Sequence, residues 1–444
     1  MIVSPAWSGK KYAVLGLARS GRATVEALLA AGADVLAWDT RPEAREPFAG
    51  RAVLADPLEA DLTSYDGVVV SPGVPLNTHP IAAHAAKFGV PVIGDIELFA
   101  QARAHLPPHK VVGITGTNGK STTTALVHHI LKTADVPTAM GGNFGLPILE
   151  QKPLTPNGKG AGVYVLELSS YQIDLTFSLD CDVAVLLNVT PDHLDRYDSF
   201  EAYAASKARL LEMQSRRNMS LIGSWDEASG TILEQTIADK GLDPDEAPAK
   251  VALNIRLLTD DMGEKFDAPN LQGPHNRKNI IAAMMACFCL DLSRSEIDPG
   301  LRTFPGLPHR MERVAEVSGV VYVNDSKGTN TAATAPALAA FDNIHWIVGG
   351  LAKDAGLGEC EAQLGHVKAA YTIGSAGPQF AALLEPRVPV TRSETLVCAV
   401  RDAAAAAEPG DTVLLSPACA SFDQFADFEA RGEAFRAAVK GLAA

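Results

Sequence analysis

Residues 113–122 read Gly113-Ile-Thr-Gly116-Thr-Asn-Gly119-Lys120-Ser121-Thr122 and directly follow the apolar pair Val111-Val112. A strand that enters a glycine-rich turn ending in Gly-Lys-Ser presents backbone N–H groups to phosphate oxygens. Lys120 would then reach the outer phosphates, and Ser121 would be placed to bind Mg²⁺. The pattern predicts a protein that binds a nucleoside triphosphate. The alternative is a tight glycine turn that only caps a helix.

The spacing of this loop differs from that of the usual P-loop. The usual motif encloses four residues between its two glycines, whereas Gly113 and Gly119 enclose five. Ile114 stands where the first glycine is expected. This difference indicates that the chain belongs to a subgroup of the P-loop proteins.

Length and composition limit the possible function classes. The chain has 444 residues, of which 47% are hydrophobic and 20% charged, and its formal net charge is −14. Two or three domains of ordinary globular composition are expected at this length. The negative charge disfavours a broad surface for nucleic acids or membranes. The six cysteines include no C-x-x-C pair, and neither a signal peptide nor a membrane-spanning apolar run is recognised. We therefore expect a cytoplasmic protein with reduced thiols.

Short apolar runs alternate with helical stretches along nearly the whole chain, which predicts repeated βα units and mostly parallel sheets. Two proline-containing segments, 105–109 and 304–309, indicate domain boundaries. We expect an α/β fold with three domains. They are a Rossmann-like N-terminal domain over 1–107, a central P-loop ATPase-like domain over 108–305 and a Rossmann-like C-terminal domain over 306–444.

The first predicted domain opens with a turn that resembles a dinucleotide-binding fingerprint. Gly16-Leu-Ala18-Arg-Ser-Gly21 keeps the outer glycines of G-x-G-x-x-G, but Ala18 replaces the middle one, where bare backbone would approach a pyrophosphate. Asp39 ends the second predicted strand, at the position of an acid that binds a ribose. A Rossmann oxidoreductase is therefore a competing hypothesis, although it leaves the P-loop unexplained.

Polar residues gather where two predicted strands of the central domain end. Glu167 follows the apolar run 163–166, and His193 follows the run 183–189. Ligands of parallel α/β sheets lie beyond the carboxyl ends of the strands, so both side chains can approach phosphates held by the P-loop. A carboxylate there is the expected ligand of Mg²⁺ that bridges ATP oxygens. His193 alone could equally cap or pack a helix, but its place beside the P-loop and Glu167 favours a site residue.

Lys207 lies on the apolar stripe of a predicted helix over residues 200–211. It follows Tyr203 by four positions and precedes Leu210 and Leu211 by three and four. A lysine in such a place can extend its ammonium group to solvent, or it can stay desolvated with a lowered pKa. A neutral amine can react with CO₂ to give a carbamate, which would replace a cation by a metal-binding anion.

Seven runs taken together resemble the Mur ligases; four lie in the predicted central domain and three in the predicted third domain, and the resemblance covers all three domains. They are the P-loop 113–122, Glu-Leu-Ser-Ser-Tyr-Gln at 167–172, Asp-His-Leu-Asp-Arg-Tyr at 192–197, Gly-Pro-His-Asn-Arg-Lys-Asn at 273–279, Gly-Leu-Pro-His-Arg-Met-Glu at 306–312, Asn-Asp-Ser-Lys-Gly-Thr-Asn at 324–330 and Ser-Pro-Ala-Cys-Ala-Ser-Phe-Asp-Gln-Phe at 416–425. Three of them, at 192–197, 325–330 and 416–421, are most similar to the members that add D-glutamate. Folylpolyglutamate synthases share the central domain, but their pattern does not include this first domain.

The resemblance implies an ATP-dependent ligase of bacterial peptidoglycan precursor synthesis. It would join D-glutamate to UDP-N-acetylmuramoyl-L-alanine through an acyl-phosphate intermediate, with two Mg²⁺ ions, as a monomer without nucleic-acid or membrane partners. Another Mur ligase and a folylpolyglutamate synthase-like ligase are alternatives within this class. A nucleotide-switched binding protein would explain the P-loop, but it would not require a glutamate-like anion pocket in the third domain.

The resemblance also assigns site residues at the matching positions of this sequence. The residues implied for the UDP-substrate are Arg19, Ser20, Asp39, Thr40, Arg41, Ser71, Gly73, Asn143 and Gln172. Those implied for ATP are Gly116, Thr117, Asn118, Gly119, Lys120, Ser121, Thr122, Thr123, Asn276, Asn279, Arg310 and Asp325. Those implied for glutamate are Lys327, Thr329, Lys353, Ser421 and Phe428. The implied metal ligands are Ser121, Glu167, His193 and carbamylated Lys207, and the implied catalytic residues are Lys120, Glu167, His193, Lys207 and Lys327.

Overall fold

The structure contains three β-sheets flanked by helices, which confirms the predicted α/β fold. It is a computed structural model that describes residues 1–192, 195–239, 254–260, 266–271, 273–353 and 355–442. Within these ranges, no helix combines the length and the apolar character that crossing a membrane requires.

The first sheet has four parallel strands in the order β2-β1-β3-β4. Its strands are Lys11–Leu15 (β1), Asp34–Trp38 (β2), Gly67–Val70 (β3) and Val92–Ile93 (β4). Its helices are Arg19–Ala30 (α1), Pro42–Arg45 (α2), Ile81–Lys87 (α3) and Asp95–Ala102 (α4). The strand order reverses at β1, which has β2 on one side and β3 on the other. Ligands of open α/β sheets bind at the carboxyl end of such a strand.

The central sheet has six parallel strands in the order β10-β9-β8-β5-β7-β6. Its strands are His109–Thr115 (β5), Thr138–Gly142 (β6), Gly162–Glu167 (β7), Val183–Leu186 (β8), Met219–Gly223 (β9) and Ile255–Leu258 (β10). The helices of this part of the chain are Lys120–Thr133 (α5), Ser170–Asp174 (α6), Phe200–Glu212 (α7), Glu227–Asp239 (α8), Pro274–Cys289 (α9) and Arg294–Thr303 (α10). The order reverses at β5, so the P-loop leaves the sheet at the point where ligands are expected.

The third sheet has six strands in the order β11-β12-β16-β13-β14-β15, and only the pair β11 and β12 is antiparallel among them. Its strands are Glu312–Val317 (β11), Val320–Asn324 (β12), Ile344–Gly349 (β13), Val367–Ile373 (β14), Val390–Glu394 (β15) and Thr412–Leu415 (β16). Its helices are Thr331–Leu338 (α11), Gly377–Leu384 (α12), Leu396–Ala406 (α13) and Phe428–Leu442 (α14). The last strand returns between β12 and β13, so the loops after these three strands lie side by side.

The chain forms two compact units. One comprises residues 1–266 and 279–301 with the first two sheets, and the other comprises residues 267–278 and 302–444 with the third. One hydrophobic core runs through the first two sheets, where the Phe99 ring packs edge-on against the Tyr164 ring at 5.2 Å. The three sheets agree with three domains, and the boundaries at 107 and 305 stay predictions.

The buried Asp95 carboxyl group predicts a pH-dependent stability. Asp95 is only 3% exposed, and neither carboxyl oxygen makes a hydrogen bond of ordinary geometry. Burial raises its pKa to about 6, partly opposed by the nearby backbone N–H groups of Asp95 and Ile96. In the unfolded chain the Asp95 carboxyl group ionises near pH 4, whereas in the folded chain it stays protonated up to about pH 6. Asp95 therefore lowers the stability of the fold progressively as the pH rises from about 4 to about 6.

The free energy of unfolding of Asp95→Asn, measured relative to that of the wild type, should therefore increase by about 3 kcal/mol from pH 4 to pH 7. One pKa unit corresponds to about 1.4 kcal/mol. Urea unfolding followed by circular dichroism at several pH values measures this difference. The exposed Asp135→Asn variant is the control, and it should change the stability little at any pH. A difference between Asp95→Asn and wild type that stays constant with pH would contradict the assignment.

Candidate active site at the phosphate-binding loop

The loop between β5 and α5 is held in a shape that requires glycine. Gly116 and Gly119 have φ angles of 149° and 85°, and residues other than glycine rarely adopt this backbone conformation. A Cβ atom on Gly119 would overlap the Asn279 Oδ1 atom, and one on Gly116 would lie 3.0 Å from the Leu187 Cβ atom. The loop backbone is therefore packed closely against its neighbours.

The segment after β8 forms one wall of this loop. The backbone N–H of Thr117 donates to the Asn188 carbonyl oxygen at 2.9 Å, and that of Asn118 donates to the Asn188 side chain at 2.8 Å. The Thr117 hydroxyl donates to the Thr190 carbonyl oxygen at 3.1 Å and lies 3.1 Å from the Tyr203 hydroxyl. These contacts fix the loop from outside the motif; Thr190 begins the polar run that follows the predicted strand, whereas nothing in the sequence pattern marks Asn188.

The Lys120 ammonium group lies over its own loop. Its Nζ atom donates to the carbonyl oxygens of Gly116 and Thr117, both at 2.8 Å. A lysine at the start of α5 therefore concentrates positive charge at the helix N-terminus, where the helix dipole also favours an anion. The arrangement suits the phosphates of a nucleotide.

The other residues assigned to ATP divide between the two compact units. Ser121 is partly exposed, Thr122 and Thr123 are buried, and the Thr123 hydroxyl lies 3.3 Å from the Asn279 Oδ1 atom. In the second unit Asn276 is buried, and Arg310 contributes, after burial, to lowering the pKa of His275 to about 4.

Glu167 ends β7, directly beside β5, and is 2% exposed. Its Oε1 atom accepts a hydrogen bond from the Asn143 side-chain amide at 2.8 Å, whereas the buried Oε2 atom has no hydrogen-bond partner. A buried carboxylate oxygen without a donor is costly unless a cation binds it. Glu167 therefore fits a Mg²⁺ ligand, and Asn143, which was assigned to the UDP-substrate, orients it.

Lys207 is buried in α7, with 1% of its surface exposed. Its Nζ atom donates to the Gly116 carbonyl oxygen at 2.8 Å and lies 4.7 Å from the centre of the Tyr203 ring. Burial first, and the Lys120 charge second, hold the pKa of the amine well below its usual range. The alternative in which the ammonium group extends to solvent is therefore wrong, and the amine lies at the P-loop.

His193 lies outside the described residues. Among the residues that the structure describes, no group of three or more His, Cys, Asp and Glu side chains could hold a metal ion. The described candidates for Mg²⁺ are therefore Ser121, Glu167 and, as a carbamate, Lys207.

The turn after β1 is organised by Asp39. Its carboxylate accepts hydrogen bonds from the backbone N–H groups of Leu17 at 2.8 Å and of Arg41 at 3.0 Å, and from the Arg41 Nε atom at 3.1 Å. Burial alone would raise the pKa of Asp39, but these hydrogen bonds outweigh it and lower the pKa. The carboxylate thus holds two loops together, which disfavours its use as the ribose ligand of a Rossmann oxidoreductase.

A cavity of about 740 Å³ lies beside this turn, lined in part by Leu17, Ala18, Arg19, Arg22 and Arg41. Glu26, Glu43 and Glu150 also line it, so three glutamates balance its three arginines and the lining as a whole carries no net charge.

Other residues assigned to the UDP-substrate lie near the cavity or on the central sheet. The Arg19 Nη2 atom donates to the Gly145 carbonyl oxygen at 2.9 Å. The Ser71 hydroxyl donates to the Gly16 carbonyl oxygen at 2.7 Å. Ser20 lies in the first turn of α1, Thr40 follows β2, and Gly73 follows β3. Gln172 forms a capping box with Ser169 at the start of α6. The Gln172 side chain thus stabilises the start of α6.

The third sheet brings Asp325 and Ser416 together where β12 and β16 end. Asp325 is buried, and its carboxylate accepts hydrogen bonds from the Ser416 hydroxyl at 2.7 Å and from the Met311 backbone N–H at 3.2 Å. Burial raises the pKa of Asp325 to about 6. The contacts hold the loop that continues to Lys327.

The residues assigned to glutamate lie on the neighbouring loops. The Lys327 Nζ atom lies 4.4 Å from the centre of the Phe428 ring. Thr329 donates its backbone N–H to the Lys327 carbonyl oxygen at 2.8 Å, Ser421 is buried, and Lys353 is exposed. A cation beside an aromatic ring and a buried hydroxyl suits an amino acid with carboxylates.

The sequence analysis missed Arg431, a buried arginine on α14 that braces these loops. Its guanidinium group donates to the Ser326 hydroxyl at 3.0 Å, to the Ser326 carbonyl oxygen at 2.8 Å and to the Cys419 carbonyl oxygen at 3.1 Å. Burial lowers its pKa to about 10. No motif marks this residue, because its partners are two backbone carbonyl oxygens and one hydroxyl group that only the fold brings together.

Three family models match the chain in succession. They are "Mur ligase MurD-like, N-terminal domain" at residues 10–94, "Mur ligase middle domain" at 114–287 and "Mur ligase, glutamate ligase domain" at 309–419. Two curated proteins named UDP-N-acetylmuramoylalanine–D-glutamate ligase are similar over the whole chain. The one from Novosphingobium aromaticivorans is 61% identical and 97% covered, and the one from Sphingopyxis alaskensis is 56% identical and 100% covered.

Solved structures show the same fold at low identity. A MurF ligase of Thermotoga maritima in complex with ADP has a TM-score of 0.58 at 16% identity, covering 99% of this chain and 96% of that one. The UDP-N-acetylmuramate-alanine ligase of the same organism has a TM-score of 0.57 at 16% identity, covering 98% of this chain and 99% of that one.

Proposed function

This chain belongs to the Mur ligase family, and we propose from that premise that it joins D-glutamate to UDP-N-acetylmuramoyl-L-alanine in an ATP-dependent reaction of peptidoglycan synthesis. The full-length similarity to ligases of that name supports the substrates. The observation that carries the chemistry is the cluster at β5, where Lys120, Lys207 and Glu167 converge on the P-loop.

Amide formation between two ionised partners needs an activated carboxyl group. In the proposed reaction, the alanyl carboxylate attacks the γ-phosphorus of ATP, the bond from that phosphorus to the bridging oxygen breaks, and ADP leaves. The amine of D-glutamate then attacks the acyl carbon, loses a proton, and expels phosphate from the tetrahedral intermediate. Each step brings anions together, so the site must supply fixed positive charge.

Lys120 and the loop N–H groups supply part of that charge. Lys120 can transfer its hydrogen bonds from the carbonyl oxygens of Gly116 and Thr117 to phosphate oxygens without moving its helix. Ser121 and Glu167 would hold Mg²⁺, which neutralises phosphate charge when bound. The buried Lys207 amine would add CO₂ and release a proton, and the carbamate would present anionic oxygens in place of an ammonium group.

Separate pockets would hold the two organic substrates. The loops after β1 and β2, with Arg19 and Arg41, would hold the uridine diphosphate, and the loops of the third sheet with Lys327, Ser421 and Phe428 would hold glutamate. We further infer a monomer that works in the cytoplasm with small molecules, two Mg²⁺ ions and no nucleic-acid or membrane partner.

The proposal is tested by phosphate release from ATP with purified protein. Release should require UDP-N-acetylmuramoyl-L-alanine and D-glutamate together, because the acyl phosphate is discharged only by the amine. Equal release without either substrate would favour a nucleotide-switched binding protein. Reduction of NAD without phosphate release would favour the oxidoreductase.

A further inference from the structure

Arg196 connects the two sheets of the first compact unit. It lies on the segment between β8 and α7, and its Nη2 atom donates to the Val74 carbonyl oxygen at 3.1 Å. Its guanidinium carbon lies 4.3 Å from the centre of the Tyr171 ring. Val74 belongs to the loop after β3, residues 71–77, which we call the β3 loop. The arginine thus joins that loop to the carboxyl edge of the central sheet.

A second hydrogen bond joins the same two segments in the opposite direction. The Asn77 side-chain amide, at the end of the β3 loop, donates to the Asp195 carbonyl oxygen at 3.1 Å. Each segment therefore uses a side chain to bind the backbone of the other. Two such contacts from adjacent residues, Asp195 and Arg196, fix both the distance and the register of the segments.

The connection continues from Arg196 toward the P-loop. The Tyr171 ring under Arg196 stacks on the Tyr197 ring, with 6.0 Å between centres and 13° between planes. The Tyr197 hydroxyl donates to the Asp174 carboxylate at 2.8 Å and lies 3.2 Å from the Ser206 hydroxyl. Ser206 directly precedes Lys207, whose amine binds the P-loop. A continuous set of contacts therefore runs from the β3 loop to the residues around the phosphates.

The shape of an arginine side chain suits both contacts of this position. Its planar guanidinium can stack on the Tyr171 face while an N–H at its edge points to the Val74 carbonyl oxygen. A lysine offers the charge and a donor but no planar surface. A matched residue outside this set of contacts is Arg294 on α10, whose guanidinium pairs with the Asp298 carboxylate and lies 5.8 Å from the centre of the Phe266 ring.

We propose that Arg196 is a positioning residue that couples the β3 loop to the P-loop side of the central sheet. This inference rests on the proposed function, in which Ser71 and Gly73 of the β3 loop contact the UDP-substrate. Binding of that substrate would then be relayed through Arg196 to the groups around ATP. The relay would set the distance between the attacking carboxylate and the γ-phosphorus, on which the rate depends strongly.

The test compares Arg196→Ala, Arg196→Lys and Asn77→Ala with wild type and with the control Arg294→Ala. Arg196→Ala should raise KM for UDP-N-acetylmuramoyl-L-alanine by about tenfold and lower kcat, while KM for ATP and D-glutamate stays within about twofold. Asn77→Ala should act in the same direction, and the double variant should lose less than the product of the two single effects. Arg196→Lys should be intermediate, and Arg294→Ala should keep all three KM values.

Calorimetric titration with UDP-N-acetylmuramoyl-L-alanine alone gives a second readout, and thermal unfolding reports the stability. A lowered Tm with unchanged KM and Kd for this substrate, or an equal rise of all three KM values, would reduce Arg196 to a structural residue and overturn the inference. An inactive wild type would instead refute the proposed function. If Arg196→Ala does not fold, Arg196→Lys and Asn77→Ala carry the same comparison.

Discussion

Lys120→Ala is expected to lower kcat by about two or more orders of magnitude while the protein stays folded. The Lys120 ammonium group lies over the carbonyl oxygens of Gly116 and Thr117, so its loss removes the positive charge nearest to the expected phosphates. The side chain contributes little to the hydrophobic core, and circular dichroism should therefore be unchanged. Steady-state phosphate release with both organic substrates present measures the effect.

Lys132→Ala is the matched control, because Lys132 lies on the same helix, α5, and is exposed in its last turn. That variant should keep wild-type turnover. Near-normal turnover of a correctly folded Lys120→Ala variant would refute the assignment of the loop to ATP.

Lys207→Ala should nearly abolish activity, and a short carboxylic acid added in solution should partly restore it. The amine is buried against Gly116, and burial together with Lys120 lowers its pKa, so a neutral amine is available to form a carbamate. Acetate or formate could occupy the anionic position that the shortened side chain leaves. Turnover is measured with and without the acid at constant ionic strength.

The control for this prediction is Arg209→Ala, two residues away on the same helix. Its activity should not respond to acetate or formate. Rescue that is specific to Lys207→Ala supports the carbamate, whereas full activity of Lys207→Ala without any acid would end the assignment. A low activity that no acid restores would mean that Lys207 acts through its own amine or through packing.

The α/β fold follows from the sequence because buried parallel strands are continuous apolar runs. The predicted run 183–189 shows where this signal stops being reliable: β8 ends at Leu186, because the next residues turn to bind the P-loop through Asn188 and Thr190. The antiparallel strand β11, Glu312–Val317, was missed because it is only partly buried and its charged residues interrupt the apolar pattern.

The positions of Glu167 and Lys207 could be predicted in part. The end of a predicted strand places Glu167 at the carboxyl edge of the central sheet, and the helical periodicity places Lys207 on the apolar face of α7. The sequence did not indicate that Asn143 orients Glu167, or that Arg196 and Arg431 join loops. Such contacts join side chains to distant groups, and several of the acceptors are backbone carbonyl oxygens, which every residue has. No residue pattern encodes them, and only the fold brings them together.

The mass of the reaction product tests the central claim most directly. Purified protein is incubated with Mg²⁺, ATP and UDP-N-acetylmuramoyl-L-alanine, and D-glutamate or L-glutamate is added in parallel. We expect a product that is heavier than the UDP-substrate by one glutamyl residue, formed with the D enantiomer and accompanied by an equal amount of ADP. Absence of that product with D-glutamate, or equal formation with L-glutamate, would contradict it.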